Sequence, residues 1–137
     1  MRTKLFKLVA GAALVATAAA VPAYAHHSFA AEFDAKKPVK LRGTVKKMEW
    51  INPHSWIHID VKNPDGTVTE WMVEGGAPNA LIRRGWNRDS LPPGTMVTVL
   101  GYRARDNSLS ASGGSVTLPD GSKLDATSAG VGAPSAE

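Results

Sequence analysis

The histidines of the chain fall into two pairs, and imidazole is a side chain that binds transition metals. His26 and His27 follow a run of small residues, whereas His54 and His58 bracket a short alternating segment. Side chains alternate across an extended strand, so a strand through this segment places both of the later histidines and Trp56 on one face. If the chain is cut before His26, the free amine and the imidazole of His26 form a chelate. His54 or His58 then supplies a third nitrogen, which makes a T-shaped copper(II) site.

The terminal position of His26 depends on the first 25 residues, which have the three parts of a signal peptide. Residues 1–7 carry three basic side chains, residues 8–21 are apolar, and the small residues Ala23 and Ala25 suit cleavage after Ala25. Cleavage after Ala23 is an alternative. An uncleaved anchor is another, although an apolar run of this length is too short to span a bilayer as a helix. We expect a periplasmic or secreted protein that begins at His26.

The histidines also have simpler interpretations. His26 and His27 are consistent with a segment that only keeps the cleavage site accessible, and His58 with an ordinary solvent-facing strand residue. A terminal His-His sequence binds copper weakly in almost any peptide. Zinc is the less suitable metal, because the chain has no Cys and no compact ligand spacing of the structural kind.

A second candidate surface is aromatic and basic. Trp56 is predicted on the outer face of its strand, with Trp50 in the loop before it and two arginines in a later helix. This surface predicts a glycan, lipid or partner-protein ligand, through Trp50, Trp56, His58, Arg83 and Arg84. The alternative is that the tryptophans serve packing, with Trp71 and Trp86 in the core and Trp50 over one end of the domain.

Composition excludes several other classes of protein. The chain has 137 residues with 16 Lys+Arg, 12 Asp+Glu and no Cys. Three of the basic residues lie in the predicted signal peptide, so the mature chain is nearly neutral and lacks the clustered positive charge of a nucleic-acid binder. There is no Gly-x-Ser-x-Gly elbow, no Cys nucleophile and no phosphate-binding glycine loop. We expect a non-enzymatic protein whose partner is a metal ion or another ligand of the cell envelope, without membrane insertion after cleavage.

Hydrophobic periodicity predicts the elements that position these residues. Alternation predicts strands, and Pro78 and Gly85 suit the start and end of a two-turn helix. The predicted order is strands at Val39–Lys46, Ser55–Val61 and Thr67–Glu74, the helix, and then strands at Met96–Tyr102, within Ser108–Leu118 and near Lys123–Leu124. Three strands, a helix and two more strands favour a small Greek-key barrel of the oligonucleotide/oligosaccharide-binding (OB) type. The predicted units are a signal peptide (1–25), an N-terminal arm (26–37), the OB-like domain (38–125) and a disordered tail (126–137).

Four motifs together resemble a known family. They are His26-His27-Ser28-Phe29, Gly43, Trp50-Ile51-Asn52-Pro53-His54 and Arg83-Arg84-Gly85-Trp86. In this combination the sequence is similar to a group of small exported bacterial proteins classed as a domain of unknown function. The resemblance covers nearly all of the mature chain, from His26 to Leu124. It implies an exported, single-domain, β-rich protein and carries over no activity, substrate or catalytic residue.

Overall fold

A computed structural model describes residues 29–128 of this chain and confirms the mainly β fold and its order of elements. The predicted signal peptide, His26, His27 and residues 129–137 lie outside the described residues. The elements are α1 (Phe29–Glu32), β1 (Phe33–Glu49), β2 (Trp56–Lys62), β3 (Val68–Glu74), α2 (Pro78–Arg83), β4 (Met96–Ala104), β5 (Ser110–Thr117) and β6 (Lys123–Asp125). Within this part of the chain, no helix is long and apolar enough to cross a membrane.

Five of the strands close into a barrel-like ring. The sheet order is β3-β2-β1-β4-β5-β6, and β3 also pairs with β5 in parallel. The 17 residues of β1 make closure possible, because its first part pairs with β4 and its last part with β2. The register of β1 against β2 shifts between Val45 and Lys47, and such a bulge bends a strand and increases its twist. The OB-like arrangement predicted from the element order is confirmed.

The core lies inside this ring, where the alternation of β2 and β3 predicts it. Ile57, Ile59 and Val73 are at most 1% exposed. Helix α2 covers one end of the ring with Leu81, and the chain leaves this helix through Gly85 at φ 90°, a conformation that glycine adopts without steric cost. The other fully or nearly buried apolar residues of this cluster are Leu41, Val45, Trp86, Leu91, Val97, Val99, Ala111, Val116 and Ala126.

The N-terminal arm is more regular than the sequence indicated. Strand β1 begins at Phe33, six residues before the predicted start, because Phe33 pairs with Ala104 at the extended end of β4. Phe29 packs on this pair, with its ring centroid 5.8 Å from that of Phe33 and 5.6 Å from that of Tyr102. The arm is therefore attached to the outside of the ring through a small aromatic cluster.

The described chain also remains ordered beyond the predicted end of the domain. Ala126 is fully buried and Ser128 is 5% exposed, although the tail was predicted to be disordered from residue 126. The amide of Ala126 donates to the carbonyl of Gly114 (2.8 Å), and its carbonyl accepts from the amide of Gly76 (3.0 Å). We call Ala126–Ser128 the C-terminal strap. It joins β5 to the segment between β3 and α2.

Candidate functional site

Strand β2 carries Trp56 and His58 on its outer side, as its alternation predicts. Ile57 and Ile59 point into the core, and Trp56 is half-buried. His58, however, is only 6% exposed, so the interpretation as a solvent-facing strand residue is wrong. The charged side chains of the neighbouring strands cover its imidazole and so account for this burial.

Two carboxylates flank the imidazole of His58. Its Nδ1 lies 2.9 Å from Oε1 of Glu70, and its Nε2 lies 3.6 Å from Oε2 of Glu49 and has no hydrogen-bond partner. Lys46 Nζ is 2.5 Å from Glu70 Oε2, and Lys47 forms an ion pair with Glu49. These five residues form a charged chain across β1, β2 and β3.

The lysines favour the ionised form of both carboxylates in this charged chain. The hydrogen bond from Lys46, followed by that from His58, lowers the pKa of Glu70. The hydrogen bond from Lys47 lowers the pKa of Glu49 in the same way. A metal ion at Nε2 of His58 would have to compete with Lys47 for Glu49. The surroundings of His58 therefore favour a structural role over metal ligation.

His54 has a different environment, at the end of the ring where β2 begins. Its Nδ1 lies 3.1 Å from Oγ of Ser128 in the C-terminal strap and 3.4 Å from Oε1 of Glu74 at the end of β3. Ser128 and Glu74 are each 5% exposed, whereas a quarter of the His54 side chain is accessible. The hydroxyl and the carboxylate meet the same ring nitrogen, which differs from a Ser-His-acid triad, where they contact opposite nitrogens. Binding at Nδ1 leaves Nε2 of His54 as the nitrogen for a ligand.

The described residues include two of the predicted copper ligands, His54 and His58, and these two do not share one site. His54 is held by β3 and the C-terminal strap, and His58 by β1 and β3, so each has its own carboxylate partners. Within residues 29–128, no group of three or more His, Cys, Asp or Glu side chains is arranged to hold a metal ion. The third predicted ligand, His26, lies outside the described residues.

Trp56 forms one wall of a cavity of about 380 Å³ on the outside of the ring. The opposite wall is the N-terminal arm, and the remaining residues come from the end of β4, the β4–β5 turn and the start of β5. The lining residues are Ala31, Glu32, Phe33, Trp56, Ala104, Arg105, Asp106 and Ser110. The cavity thus combines an indole ring and small apolar surfaces with two carboxylates, a guanidinium and a hydroxyl group.

Arg105 connects the two parts of the chain that build this cavity. Its Nε donates to the carbonyl of Ala30 (2.7 Å), and its backbone amide donates to the carbonyl of Glu32 (2.9 Å). The next residue, Asp106, accepts from the amide of Ser108 (2.9 Å), and a hydrogen bond from that serine's hydroxyl contributes most to lowering the pKa of Asp106. The cavity walls are therefore fixed by hydrogen bonds, and Asp106 presents a charged carboxylate.

Only part of the aromatic and basic surface predicted from the sequence is brought together in the folded protein. Trp50 is half-buried against the core, in agreement with its alternative role at one end of the ring. Arg83 and Arg84 lie at the end of α2, where Arg84 donates to the carbonyl of Thr127 in the C-terminal strap. None of these three residues lines the cavity.

Arg105 is the basic residue of the cavity that the sequence analysis missed. The signal for it was available, because the loop between strands 4 and 5 is one of the binding loops of OB folds. The remaining two tryptophans follow the packing interpretation. Trp86 is 2% exposed and donates from Nε1 to the carbonyl of Asp125, and Trp71 packs against the core.

Comparison with known proteins identifies a family without a known activity. A family model described as a family of unknown function, DUF6152, matches residues 13–113 of the chain. The match covers α1, the arm and every strand of the ring up to the first half of β5. No curated protein and no solved structure matches the sequence.

Proposed function

We propose that this protein, which belongs to DUF6152, a family of unknown function, is an exported copper(II)-binding protein that acts as a carrier or sensor. The ligands are the amine and imidazole of His26 at the mature N-terminus and Nε2 of His54. Copper(II) accepts such nitrogen ligands in a planar arrangement. The proposal assigns the third nitrogen to His54, a choice that the sequence left open between His54 and His58.

The environment of His54 is the observation that carries the proposal. Histidines that ligate metals usually donate their other ring N–H to a carboxylate or a similar acceptor, which fixes the ring and its tautomer. Nδ1 of His54 has such partners in the buried Glu74 and Ser128, and its side chain is accessible from outside. His58 has carboxylates facing both of its nitrogens and little accessible surface.

The path of the N-terminal arm supports the participation of His26. Ala31–Phe33 line the same cavity as Trp56, the first residue of β2, and His54 lies two residues before it in the sequence. Two residues lie between His26 and Phe29, and a fully extended chain covers at most about 11 Å over the three residue steps from Phe29 to His26. The arm and Trp56 thus share the walls of one cavity, and we take this proximity to the segment that carries His54 as support for His54 as the partner of the terminal histidine.

The proposal is tested by copper titration of matched proteins. Mature protein that begins at His26 should bind one copper(II) more tightly than the same protein with an added N-terminal Met, because the extension removes the amine from the chelate and leaves every side chain in place. His54→Ala should weaken binding by more than about 10-fold. His58→Ala is the matched control and should bind copper as the parent does, provided that its circular dichroism spectrum is unchanged.

The outcomes of this titration separate the proposal from its competitors. Equal affinity for the proteins with and without the added Met would exclude the terminal amine, and so would exported protein whose intact mass shows a start other than His26. If His54→Ala binds as tightly as the parent, the folded domain supplies no ligand and the copper function is refuted. Affinity should also decrease as the pH falls, because protons compete with copper for the imidazole and amine nitrogens.

A further inference from the structure

The cavity beside Trp56 is separate from the proposed copper ligands. Its volume of about 380 Å³ falls in the range of small-molecule sites, which is about 300–1,000 Å³. None of the proposed ligands of copper lines it, because its walls are the N-terminal arm, Trp56 and the β4–β5 turn. The ligand of this cavity can therefore be inferred separately from the proposed copper site.

The chemistry of the lining selects among classes of ligand. An acyl chain would leave Glu32, Arg105 and Asp106 facing apolar groups, which is costly for charged side chains. A phosphate-bearing ligand would meet the carboxylates of Glu32 and Asp106, and a simple organic cation would meet the guanidinium of Arg105. A neutral ligand with many hydroxyl groups has partners for all three.

We propose that this cavity binds one sugar residue of a neutral oligosaccharide, with the apolar face of the sugar ring stacked on the indole of Trp56. A pyranose has C–H groups on its faces and hydroxyl groups around its rim. The indole matches the face, while the rim meets the donors of Arg105 and the acceptors of Asp106 and Ser110. The hydroxyl of Ser110 lies 2.8 Å from that of Ser108, so it is already oriented by a neighbour.

The walls are built before any ligand arrives, which lowers the entropic cost of binding. Phe29 anchors the arm against Phe33 and Tyr102, and Arg105 joins the arm to the β4–β5 turn through the carbonyls of Ala30 and Glu32. Arg105 accordingly has two functions in the proposed site. Its Nε and backbone amide hold the arm in place, and its terminal nitrogens are the donors that we assign to the sugar rim.

The test uses cellotriose, maltotriose and tri-N-acetylchitotriose as probes, at up to about 10 mM, with the mature protein in the absence of copper. Binding is followed by the tryptophan fluorescence and by the indole N–H resonance of Trp56. We expect at least one trisaccharide to shift that resonance saturably. Trp56→Ala should weaken its binding by about 10-fold, and Trp56→Phe should weaken it less, because Phe keeps an aromatic face.

Two arginines provide a matched control. Arg105→Ala should weaken trisaccharide binding, whereas Arg83→Ala, which removes an exposed arginine of α2 that does not line the cavity, should leave it unchanged. His54→Ala should keep the trisaccharide affinity while it loses copper, so failure of one proposal is distinguishable from failure of the other. The sugar proposal is overturned if none of the probes perturbs Trp56, if Trp56→Ala binds them as the parent does, or if oleate occupies the cavity in their place.

Discussion

Removal of the C-terminal strap is the perturbation that connects the stability of this fold most directly with its proposed copper site. The matched proteins end after Ser128 and after Asp125, so residues 129–137 are absent from both. The shorter protein loses the hydrogen bonds from Ala126 to Gly114 and from Gly76 to Ala126. It also loses the fully buried Ala126 side chain and the Ser128 hydroxyl.

The expected loss of stability follows from these contacts. A buried backbone group that loses its hydrogen-bond partner costs about 1–3 kcal/mol, and water that enters the opened end of the ring recovers part of that cost. Two such groups give a loss of about 2–4 kcal/mol in the free energy of unfolding. For a domain of about 100 residues this corresponds to a decrease in melting temperature of roughly 10–20 °C. The thermal melt is followed by circular dichroism at one protein concentration for both chains.

Copper affinity provides the second measurement on the same two proteins. Without Ser128, one of the two partners of His54 Nδ1 is missing, and loss of such a supporting group typically reduces metal affinity by about 10–100-fold. Melting temperatures within about 3 °C of each other would show that the strap adds little to the fold, and the accounting of its hydrogen bonds would then be wrong. Equal copper affinity at a temperature where both proteins are folded would show that Ser128 does not orient His54.

Two further predictions concern the sheet and its charged outer face. Gly101→Ala should lower the free energy of unfolding, measured by urea denaturation, by about 2–3 kcal/mol, because the new Cβ would lie within 3.0 Å of the backbone carbonyl oxygen of Ser112. An unchanged midpoint of the urea transition would mean that β4 and β5 separate easily at this point. Lys46→Met should raise the pKa of Glu70 towards its ordinary value of 4.5, measured by NMR titration of the carboxyl carbon, because the lysine is the largest cause of its depression. A carboxyl group whose pKa is lowered on folding stabilises the fold above its ordinary pKa, and this contribution is lost as the pH falls through the lowered pKa. The stability of this variant should therefore depend less on acid pH. A pKa of Glu70 that does not move would contradict the assigned ion pair.

Part of the candidate site was predictable from the sequence because it depends on local periodicity. Alternation alone places Ile57 and Ile59 inside and Trp56 outside, since side chains of a strand change face at every residue. The same alternation assigns His58 to the outer side. Its burial was not predictable, because it depends on Glu70 and Glu49, which come from two other strands.

Side-chain alternation and turn residues such as Gly66 and Gly85, both at positive φ, were enough to predict the order of the strands and of α2. They did not predict the first six residues of β1, because these residues pair with β4. Which distant segments meet depends instead on the path of the chain through the whole fold. Closure of the ring pairs β3 with β5 and carries the β4–β5 turn, with Arg105, to the arm opposite Trp56. It also brings the C-terminal strap to His54, 74 residues away along the chain. Such contacts leave no periodic pattern in the sequence, because they depend on the three-dimensional path of the whole sheet and not on the conformation of any one segment.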